Sequence, residues 1–317
     1  MGMVVVFTGG MSPRRVTSEA PAVSAELFAP VGNEVELCYQ TFGDPDGEPL
    51  LLVMGLSGPM TWWDQAFCEQ LASAGFHVVR YDNRDTGRSS RIAAPARPDQ
   101  LVKAFATGRA NAPYSMSDLA GDAVALLDHL GLPSAHLVGV SMGGMIAQTV
   151  AVEHTTRVRS LTSISSTTGR RTVGWQHPSL LPRLIAPRKA GREAYVETSL
   201  AMWSLIGSAA YASDPDALRT RAEATFDRGV SASGAVRQML AILTQDDRTP
   251  RLRSLRVPAL VIHGTADKMV HVSGGRSTAA AIPGAELLTV DGMGHDLPPE
   301  LFGTFVEAIA RTADRAS

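Results

Sequence analysis

Short apolar runs rich in β-favouring residues recur along the chain, and a turn followed by a helical pattern comes after most of them. They cover residues 35–39, 50–54, 77–81, 136–140, 161–164, 259–263 and 286–290. Strands that alternate with helices in this way are typical of a mostly parallel sheet flanked by helices. The pattern therefore predicts an α/β fold.

The clearest helix is predicted over residues 117–130, where leucines and valines recur on one face. Ser115 with Asp118 three residues later has the spacing of a capping box, and Ser117 is the alternative N-cap. A second helix is predicted over residues 62–74.

The strand rhythm stops after residue 166 and resumes only at residue 258. Between these points the chain is rich in alanine and helical in pattern. We therefore predict a helical cap over 167–247, inserted after strand six of an eight-stranded-type sheet. The core then comprises 26–166 and 248–317, and 1–25 forms a loosely ordered N-terminal segment.

Composition excludes several classes of protein. The 317 residues carry 29 Lys and Arg against 31 Asp and Glu, a formal net charge of −2. This balance provides no overall field for nucleic acid, and no nucleic-acid partner is expected. Hydrophobic residues make up 44% of the chain, which is enough for a sizeable core.

Cysteines and targeting signals are scarce. Cys38 and Cys68 cannot form a disulfide framework, so we interpret both as buried free thiols in a reducing compartment. Arg14 and Arg15 follow the first apolar run too soon for a secretory signal, and no run approaches the roughly 20 apolar residues of a membrane span. We expect a cytoplasmic protein with no integral membrane segment; homo-oligomer formation stays open.

The pattern G-x-S-x-G occurs at Gly139, Ser141 and Gly143, between a predicted strand and a predicted helix. This is the context of a nucleophile elbow, in which a serine sits on a sharp turn with no room for side chains on either flank. The helix start also directs N–H groups toward charge that develops near the serine. Ser141 is the candidate nucleophile.

A serine nucleophile needs a base and an acid that orients the base. Of the eight histidines, His295 alone lies in a glycine-rich loop after the last predicted strand. In the chain order Ser, acid, His, Asp267 follows the preceding strand and is the candidate acid. We interpret Asp291 and Asp296 as surface or loop-capping residues, because they are too near His295 in sequence.

The oxyanion of a tetrahedral intermediate needs two backbone donors. One is expected at Met142, directly after the nucleophile, and the other at Leu56 in the loop after an early strand, with Ser57 as the fallback. No cofactor or metal is expected, since this chemistry needs none and the chain has no H-E-x-x-H, C-x-x-C, P-loop or G-x-G-x-x-G pattern.

Aromatic and basic residues give weaker indications of the substrate. Large apolar side chains occur near the oxyanion loop and in the cap. They either line an apolar substrate pocket or form the core of the cap. The substrate-binding candidates are Trp62, Trp63, Trp175, Met202 and Trp203. The early cap is basic, with Arg170, Arg171, Arg183, Arg188, Lys189 and Arg192. We interpret these charges as a solvated face, with an anionic head group or a membrane surface as the alternative.

Five stretches of the chain resemble the α/β-hydrolase superfamily, and more narrowly its actinobacterial lipase/esterase branch, which includes aclacinomycin methylesterase. The stretches are V-M-G-L-S-G-P-M-T-W-W at 53–63, R-Y-D-N-R-D-T-G-R-S at 80–89, G-V-S-M-G-G-M-I-A-Q at 139–148, H-G-T-A-D-K at 263–268 and G-M-G-H-D-L-P at 292–298. The resemblance spans about 31–312. It implies the same triad and oxyanion donors, and a bracing role for Asp82 and Arg84.

The predicted activity is hydrolysis of a hydrophobic small-molecule ester by a carboxylesterase or lipase type of serine hydrolase. Ser141 would attack the carbonyl carbon and form an acyl-enzyme, which water then releases. A lactonase and a thioesterase or phospholipase-like lipid hydrolase are alternatives with the same triad. A ligand-binding protein that keeps the triad but has little turnover is the alternative of another class.

Overall fold

The computed structural model describes residues 20–95, 97–180, 191–211 and 214–316. Several predicted segments fall partly outside this range, including the cap predicted over 167–247, of which 181–190, 212 and 213 are not described. Residues 1–19 of the predicted N-terminal segment are not described, and neither are Arg183, Arg188 and Lys189 of the basic stretch. Residues 20–25 are described, and there Ser24 N–H donates to Thr41 O at 3.0 Å.

The described residues form one eight-stranded sheet in the order β1-β2-β4-β3-β5-β6-β7-β8. The strands are β1 (Leu27–Pro30), β2 (Glu36–Phe42), β3 (Glu48–Val53), β4 (Phe76–Tyr81), β5 (Ala135–Val140), β6 (Val158–Ile164), β7 (Ala259–Gly264) and β8 (Glu286–Val290). β2 pairs antiparallel with β1 on one side and with β4 on the other. The remaining pairs, from β4 and β3 across the sheet to β8, are parallel. The predicted α/β fold is confirmed.

Strand β1 is absent from the predicted runs. Its residues Leu27, Phe28 and Pro30 are exposed and only Ala29 is buried, so the strand has neither a continuous apolar run nor a buried alternating face. β1 is an edge strand that pairs with β2 alone. A short exposed edge strand of this kind carries little hydrophobic signal.

Helices fill the connections between the parallel strands. They are α1 (Gln65–Ser73), α2 (Pro98–Thr107), α3 (Met116–His129), α4 (Met142–Glu153), α5 (Arg192–Ile206), α6 (Pro215–Gly229), α7 (Ala232–Leu243), α8 (Thr249–Leu252), α9 (Ser273–Ala281) and α10 (Phe302–Asp314). The Ser115 hydroxyl accepts from Asp118 N–H and the Asp118 carboxylate accepts from Ser115 N–H, which confirms the predicted capping box. Of the helix predicted over 62–74, the structure shows α1 only from Gln65, and Trp62 is instead the last residue of a 3₁₀ turn, Met60–Trp62.

Between β6 and β7 the described residues of 167–247 form helices α5, α6 and α7 and contain no strand. We call this stretch the helical insertion. The insertion begins after β6, where the strand pattern of the sequence stops. It ends before β7, where that pattern resumes.

The core lies in two apolar layers on opposite faces of the sheet. Leu51 in β3 packs into the layer shared with α3 and α4, whereas Leu50 and Leu52 face the layer shared with α1 and α10. This alternation follows from the two-residue period of a strand, and burial on both faces explains the continuous apolar runs. Cys38 and Cys68 are buried free thiols, as predicted.

The chain reverses direction across the sheet at β3, because β4 lies on one side of it and β5 on the other. In open α/β sheets the crevice at the carboxyl ends of the strands beside such a reversal is the usual ligand site. Ser141 follows β5 and Leu56 lies just after β3, so both flank this crevice. No helix built from the described residues combines the length and apolar character of a membrane crossing.

Candidate active site

Ser141 lies on a strained turn between β5 and α4. Its φ of 57° and ψ of −120° put a non-glycine residue in a backbone region that L-residues rarely adopt. The turn is held on both sides of the residue, because Ser141 N–H donates to Ile164 O at 2.9 Å and the Ser166 hydroxyl donates to Ser141 O at 2.7 Å. Such strain costs on the order of 1–3 kcal/mol and persists only where the surroundings impose it.

The two flanking glycines of the motif are required by close approach of the backbone. A Cβ at Gly139 would lie 2.2 Å from Gly143 O, and a Cβ at Gly143 would lie 1.9 Å from Val53 O. Neither contact leaves room for a methyl group. The physical reason predicted for the glycines of G-x-S-x-G is therefore confirmed.

The structure brings together the three side chains that the sequence predicts as a triad. His295 Nε2 lies 3.0 Å from Ser141 Oγ. The other ring nitrogen, Nδ1, lies 2.7 Å from Asp267 Oδ2. The imidazole therefore bridges the serine hydroxyl and the carboxylate within hydrogen-bond distance on both sides.

The Asp267 carboxylate is buried and held by its own turn. Its Oδ1 accepts from Met269 N–H at 2.9 Å and from Val270 N–H at 2.8 Å, which leaves Oδ2 toward His295. Burial alone would raise the pKa of this carboxyl, but the charge and hydrogen bonds of His295 and the neighbouring His263 outweigh it. The net effect holds the pKa of Asp267 well below its usual range.

The loop that carries His295 is fixed by the end of α5. His295 N–H donates to Ile206 O at 2.7 Å, and Gly294 N–H donates to Ser208 Oγ at 2.7 Å. The Ser208 hydroxyl in turn donates to Asp296 at 2.5 Å. The helical insertion thus positions the histidine loop, which no motif in the sequence indicates.

The two other carboxylates near His295 have separate partners. Burial raises the pKa of Asp296, which accepts from Ser208. Asp291 is exposed and accepts from the Thr265 hydroxyl at 2.9 Å. Neither forms a hydrogen bond with the His295 ring among the described residues.

The predicted oxyanion donors belong to two segments that meet at Ser141, the loop after β3 and the start of α4. A Cβ at Gly55, the residue before Leu56, would lie 3.2 Å from Ser141 Cβ, so the loop after β3 approaches the serine closely. Met142 N–H is the first of α4 and has no partner within the helix. Leu56 N–H donates to no other described residue. The fallback donor, Ser57 N–H, is engaged by Gln238 Oε1 at 2.8 Å.

A family model described as alpha/beta hydrolase fold matches residues 48–300, a range that contains the three triad side chains and both predicted donors. The chain belongs to the α/β-hydrolase family. The resemblance predicted from the five sequence stretches is confirmed.

Relatives within the α/β-hydrolase family match most of the chain. Rhodomycin D methylesterase DnrP of Streptomyces peucetius is 30% identical over 292 residues, which cover 84% of this chain and 91% of that protein. The 3-oxoadipate enol-lactonase 2 of Acinetobacter baylyi is 27% identical over 284 residues, 88% of this chain and 94% of that protein. The predicted likeness to the actinobacterial lipase/esterase branch that includes aclacinomycin methylesterase is confirmed, and the chain is an enzyme of the hydrolase class.

A solved structure shows the same fold at lower identity. The enol-lactonase from Burkholderia xenovorans LB400 superimposes with a TM-score of 0.71 at 24% identity, covering 91% of this chain and 100% of that one. This likeness supports the α/β-hydrolase fold alone.

The turn after β4, which the family resemblance assigns a bracing role, is held by buried ion pairs. Asp82 accepts from Met60 N–H at 2.6 Å and pairs with Arg228 of α6 at 2.7 Å. Arg84 donates to both oxygens of Asp122, at 2.6 and 2.5 Å. These contacts connect the turn to the oxyanion side, to α3 and to the helical insertion.

Two of the predicted substrate-binding residues meet across the boundary between the core and the helical insertion. The rings of Trp62 and Trp203 pack edge to face, with centroids 5.4 Å apart. The Arg221 guanidinium lies 4.6 Å from the Trp203 ring centroid, and Trp62 Nε1 donates to Thr225 Oγ1 at 2.9 Å. Met202 is half-buried next to Trp203 on α5.

The other two tryptophan candidates lie elsewhere. Trp63 has no exposed surface and stacks on Phe67 in the core, with centroids 5.8 Å apart. Trp175 is 45% exposed and stacks on His271, with centroids 4.2 Å apart. The structure thus brings neither of them to the pair formed by Trp62 and Trp203.

Two described residues of the basic stretch, Arg171 and Arg192, bind other groups of the protein. Arg171 donates to the carbonyl groups of Ala104 and Phe105 at the end of α2. Arg192 pairs with Asp227 at 2.9 Å.

Within the described residues, no group of three or more His, Cys, Asp or Glu side chains could hold a metal ion.

Gln238 on α7 is a site neighbour that the sequence predictions missed. Its side chain has no exposed surface, and its Nε2 donates to Arg84 O at 2.8 Å and to Thr86 Oγ1 at 2.9 Å while Oε1 accepts from Ser57. The sequence does contain one indication of Gln238, because it is a polar residue on the apolar face of an amphipathic helix. Such a residue indicates a buried, hydrogen-bonded side chain. That pattern does not indicate which loop the Gln238 side chain contacts.

Proposed function

We propose that the chain is a serine carboxylic-ester hydrolase that works through Ser141, His295 and Asp267. The observation that carries this proposal is the pair of contacts made by His295, 3.0 Å to Ser141 Oγ and 2.7 Å to Asp267 Oδ2. A base between a hydroxyl and a buried carboxylate is the arrangement that activates serine for attack on an acyl carbon. The named methylesterase and enol-lactonase relatives support ester bonds as the substrate.

In the proposed mechanism, Ser141 Oγ attacks the carbonyl carbon of the ester while His295 Nε2 takes the hydroxyl proton. The carbonyl oxygen gains negative charge and accepts hydrogen bonds from Met142 and Leu56 N–H groups. Collapse of this intermediate breaks the bond to the leaving alcohol, which takes the proton from His295. Water then attacks the acyl-enzyme by the same route and releases the acid.

Asp267 keeps the imidazole in the productive form. With its carboxylate accepting from Nδ1, the hydrogen of neutral His295 is on Nδ1, so Nε2 is free to accept the serine proton. The same carboxylate stabilises the imidazolium that forms. Its lowered pKa keeps it ionised across the neutral range.

We propose further that the helical insertion acts as a cap and that the substrate is a hydrophobic small-molecule ester. Contacts of the insertion with the oxyanion loop, through Trp62 and Trp203, and with the histidine loop support the first point. The aromatic rings together with Met202 support an apolar wall. The rhodomycin D methylesterase relative supports a methyl ester, and the 3-oxoadipate enol-lactonase relative supports a lactone as the second candidate.

A substrate panel with the wild type and Ser141→Ala tests the proposal. The panel contains p-nitrophenyl esters of increasing chain length, methyl esters of polycyclic aromatic acids, lactones and thioesters. We expect multiple turnover of esters by the wild type and a loss of up to about 10⁶ in kcat for Ser141→Ala. Ser160→Ala is the matched control, because Ser160 is a buried serine near the amino end of β6, bonded to His136, whereas the candidate triad follows the carboxyl ends of strands.

Three results of the panel would contradict the proposal. Activity of Ser141→Ala within about tenfold of the wild type would exclude Ser141 as nucleophile. Saturable binding of an ester without turnover would favour a binding protein. Turnover of thioesters far above that of the oxygen esters would favour the thioesterase alternative.

A further inference from the structure

The loop that carries the proposed oxyanion donor Leu56 has a conformation that does not suit its sequence. Ser57 has a φ of 54°, in the left-handed region that glycine prefers. A serine held there costs free energy relative to extended or right-handed backbone, so something in the surrounding structure has to impose the turn. The residue after Ser57 is Gly58, whose N–H closes the turn on Gly55 O at 3.2 Å.

One side chain holds the strained residue from outside the loop. Gln238 Oε1 accepts from Ser57 N–H at 2.8 Å across a sequence separation of 181 residues. The amide of Gln238 is itself fixed, because Nε2 donates to Arg84 O and to Thr86 Oγ1. These two acceptors define which end of the amide is the oxygen, and so direct Oε1 toward Ser57.

Burial makes this contact strong and its loss costly. Gln238 and Thr86 are 0% and 4% exposed, so water does not readily replace the amide. Without Oε1 the Ser57 N–H would lose its partner, and the loop could relieve both this loss and the strain at Ser57 by rotating the peptide. Because Leu56 adjoins that peptide, such a rotation would change where the Leu56 N–H points relative to Ser141.

We propose that Gln238 is a positioning residue for the oxyanion hole, which it sets by clamping Ser57 in its left-handed conformation. The proposal rests on the function proposed above. It gives the helical insertion a part in the chemistry, since α7 then holds the oxyanion loop while the end of α5 holds the histidine loop. Gln238 does not touch the reacting atoms and acts through the backbone of Ser57 and Leu56.

The test compares Gln238→Met with Gln238→Glu on one p-nitrophenyl ester. Methionine has similar length but no acceptor for Ser57, and we expect kcat to fall about 10- to 100-fold, since a donor that is displaced retains part of its effect. KM should change less than about threefold, because ground-state binding does not use the oxyanion donors. Glutamate keeps an acceptor oxygen and should recover a measurable part of the lost kcat.

Inhibition by phenylboronic acid separates positioning from a general structural role. The boronate forms a tetrahedral adduct on serine that uses the oxyanion donors, so its inhibition constant should rise by about the same factor as kcat falls. Gln148→Met is the matched control, because Gln148 is an equally buried glutamine on α4 whose bonds go to Ser163 and Arg248 and not to the oxyanion loop. It should lower thermal stability with little effect on kcat.

The outcomes are distinguishable from failure of the proposed function. If Ser141→Ala abolishes hydrolysis but folded Gln238→Met keeps its kcat and its boronate inhibition, the positioning role of Gln238 is wrong and the triad stands. An equal loss of kcat in Gln148→Met would also overturn the positioning role. If Gln238→Met does not fold, Gln238→Asn is measured instead, since its shorter amide falls short of Ser57 and the same kcat loss is expected.

Discussion

Asp267→Asn is the substitution that most sharply tests how the carboxylate controls His295. The asparagine side chain has the same shape, and its orientation is fixed by two backbone donors. Met269 and Val270 N–H groups, at 2.9 and 2.8 Å from Oδ1, require an oxygen at that position. The amide NH₂ must therefore occupy the position of Oδ2, 2.7 Å from His295 Nδ1.

An NH₂ group at this position reverses the histidine tautomer. Nδ1 becomes the acceptor, the ring hydrogen moves to Nε2, and the nitrogen 3.0 Å from Ser141 Oγ can no longer take the serine proton. A wrong tautomer of this kind lowers kcat by about 10⁴, or about 5 kcal/mol of transition-state free energy at 1.36 kcal/mol per factor of ten. We expect that loss with KM changed only slightly.

The assay is kcat and KM on a p-nitrophenyl ester, with thermal unfolding to verify that the variant is folded. Asp291→Asn is the matched control, because Asp291 is exposed and bonded to Thr265, and it should keep activity close to the wild type. A folded Asp267→Asn enzyme within about tenfold of the wild-type kcat would refute the tautomer reasoning. A large loss of kcat in Asp291→Asn would indicate that Asp291, and not Asp267, is the acid that orients His295.

Further predictions concern stability. Gly143→Ala would put a Cβ 1.9 Å from Val53 O and should lower the melting temperature sharply, whereas Gly121→Ala, with no atom within 4 Å, should stabilise α3 by up to about 1 kcal/mol. Arg237→Met leaves the buried Asp85 carboxylate without its ion-pair partner and should cost about 3–5 kcal/mol in chemical denaturation. Burial would raise the pKa of Asp85, but its bonds with Arg237 and other donors lower it overall, so this stabilisation is present above about pH 4 and is lost as pH falls further. Acid unfolding followed by fluorescence should begin at a higher pH in Arg237→Met, and an unchanged midpoint would contradict this.

The meeting of Ser141, Asp267 and His295 could be predicted because each follows a strand of a parallel sheet. Carboxyl ends of such strands lie along one edge, so side chains far apart in sequence converge there. The glycines of the nucleophile turn added a signal of their own, since only close backbone packing requires them. Sequence order and local chemistry therefore sufficed for this part of the candidate site.

Contacts made by the helical insertion could not be predicted in the same way. The bond from Ser57 to Gln238 joins residues 181 positions apart without a motif at either end. Neighbouring residues can also have opposite surroundings: Trp62 faces Trp203 of the insertion, whereas Trp63 lies in the core. Trp62 ends a 3₁₀ turn and Trp63 follows it directly, and apolar composition alone does not indicate which of the two side chains faces inward.

Covalent labelling with diethyl p-nitrophenyl phosphate, followed by peptide mass spectrometry, tests the proposed nucleophile most directly. The reagent phosphorylates an activated serine and releases p-nitrophenol. We expect one diethylphosphoryl group per chain, located on Ser141, with esterase activity lost in proportion to labelling and no labelling of Ser141→Ala. A label on another residue that accompanies inactivation, or full activity in the completely labelled enzyme, would contradict the proposed mechanism.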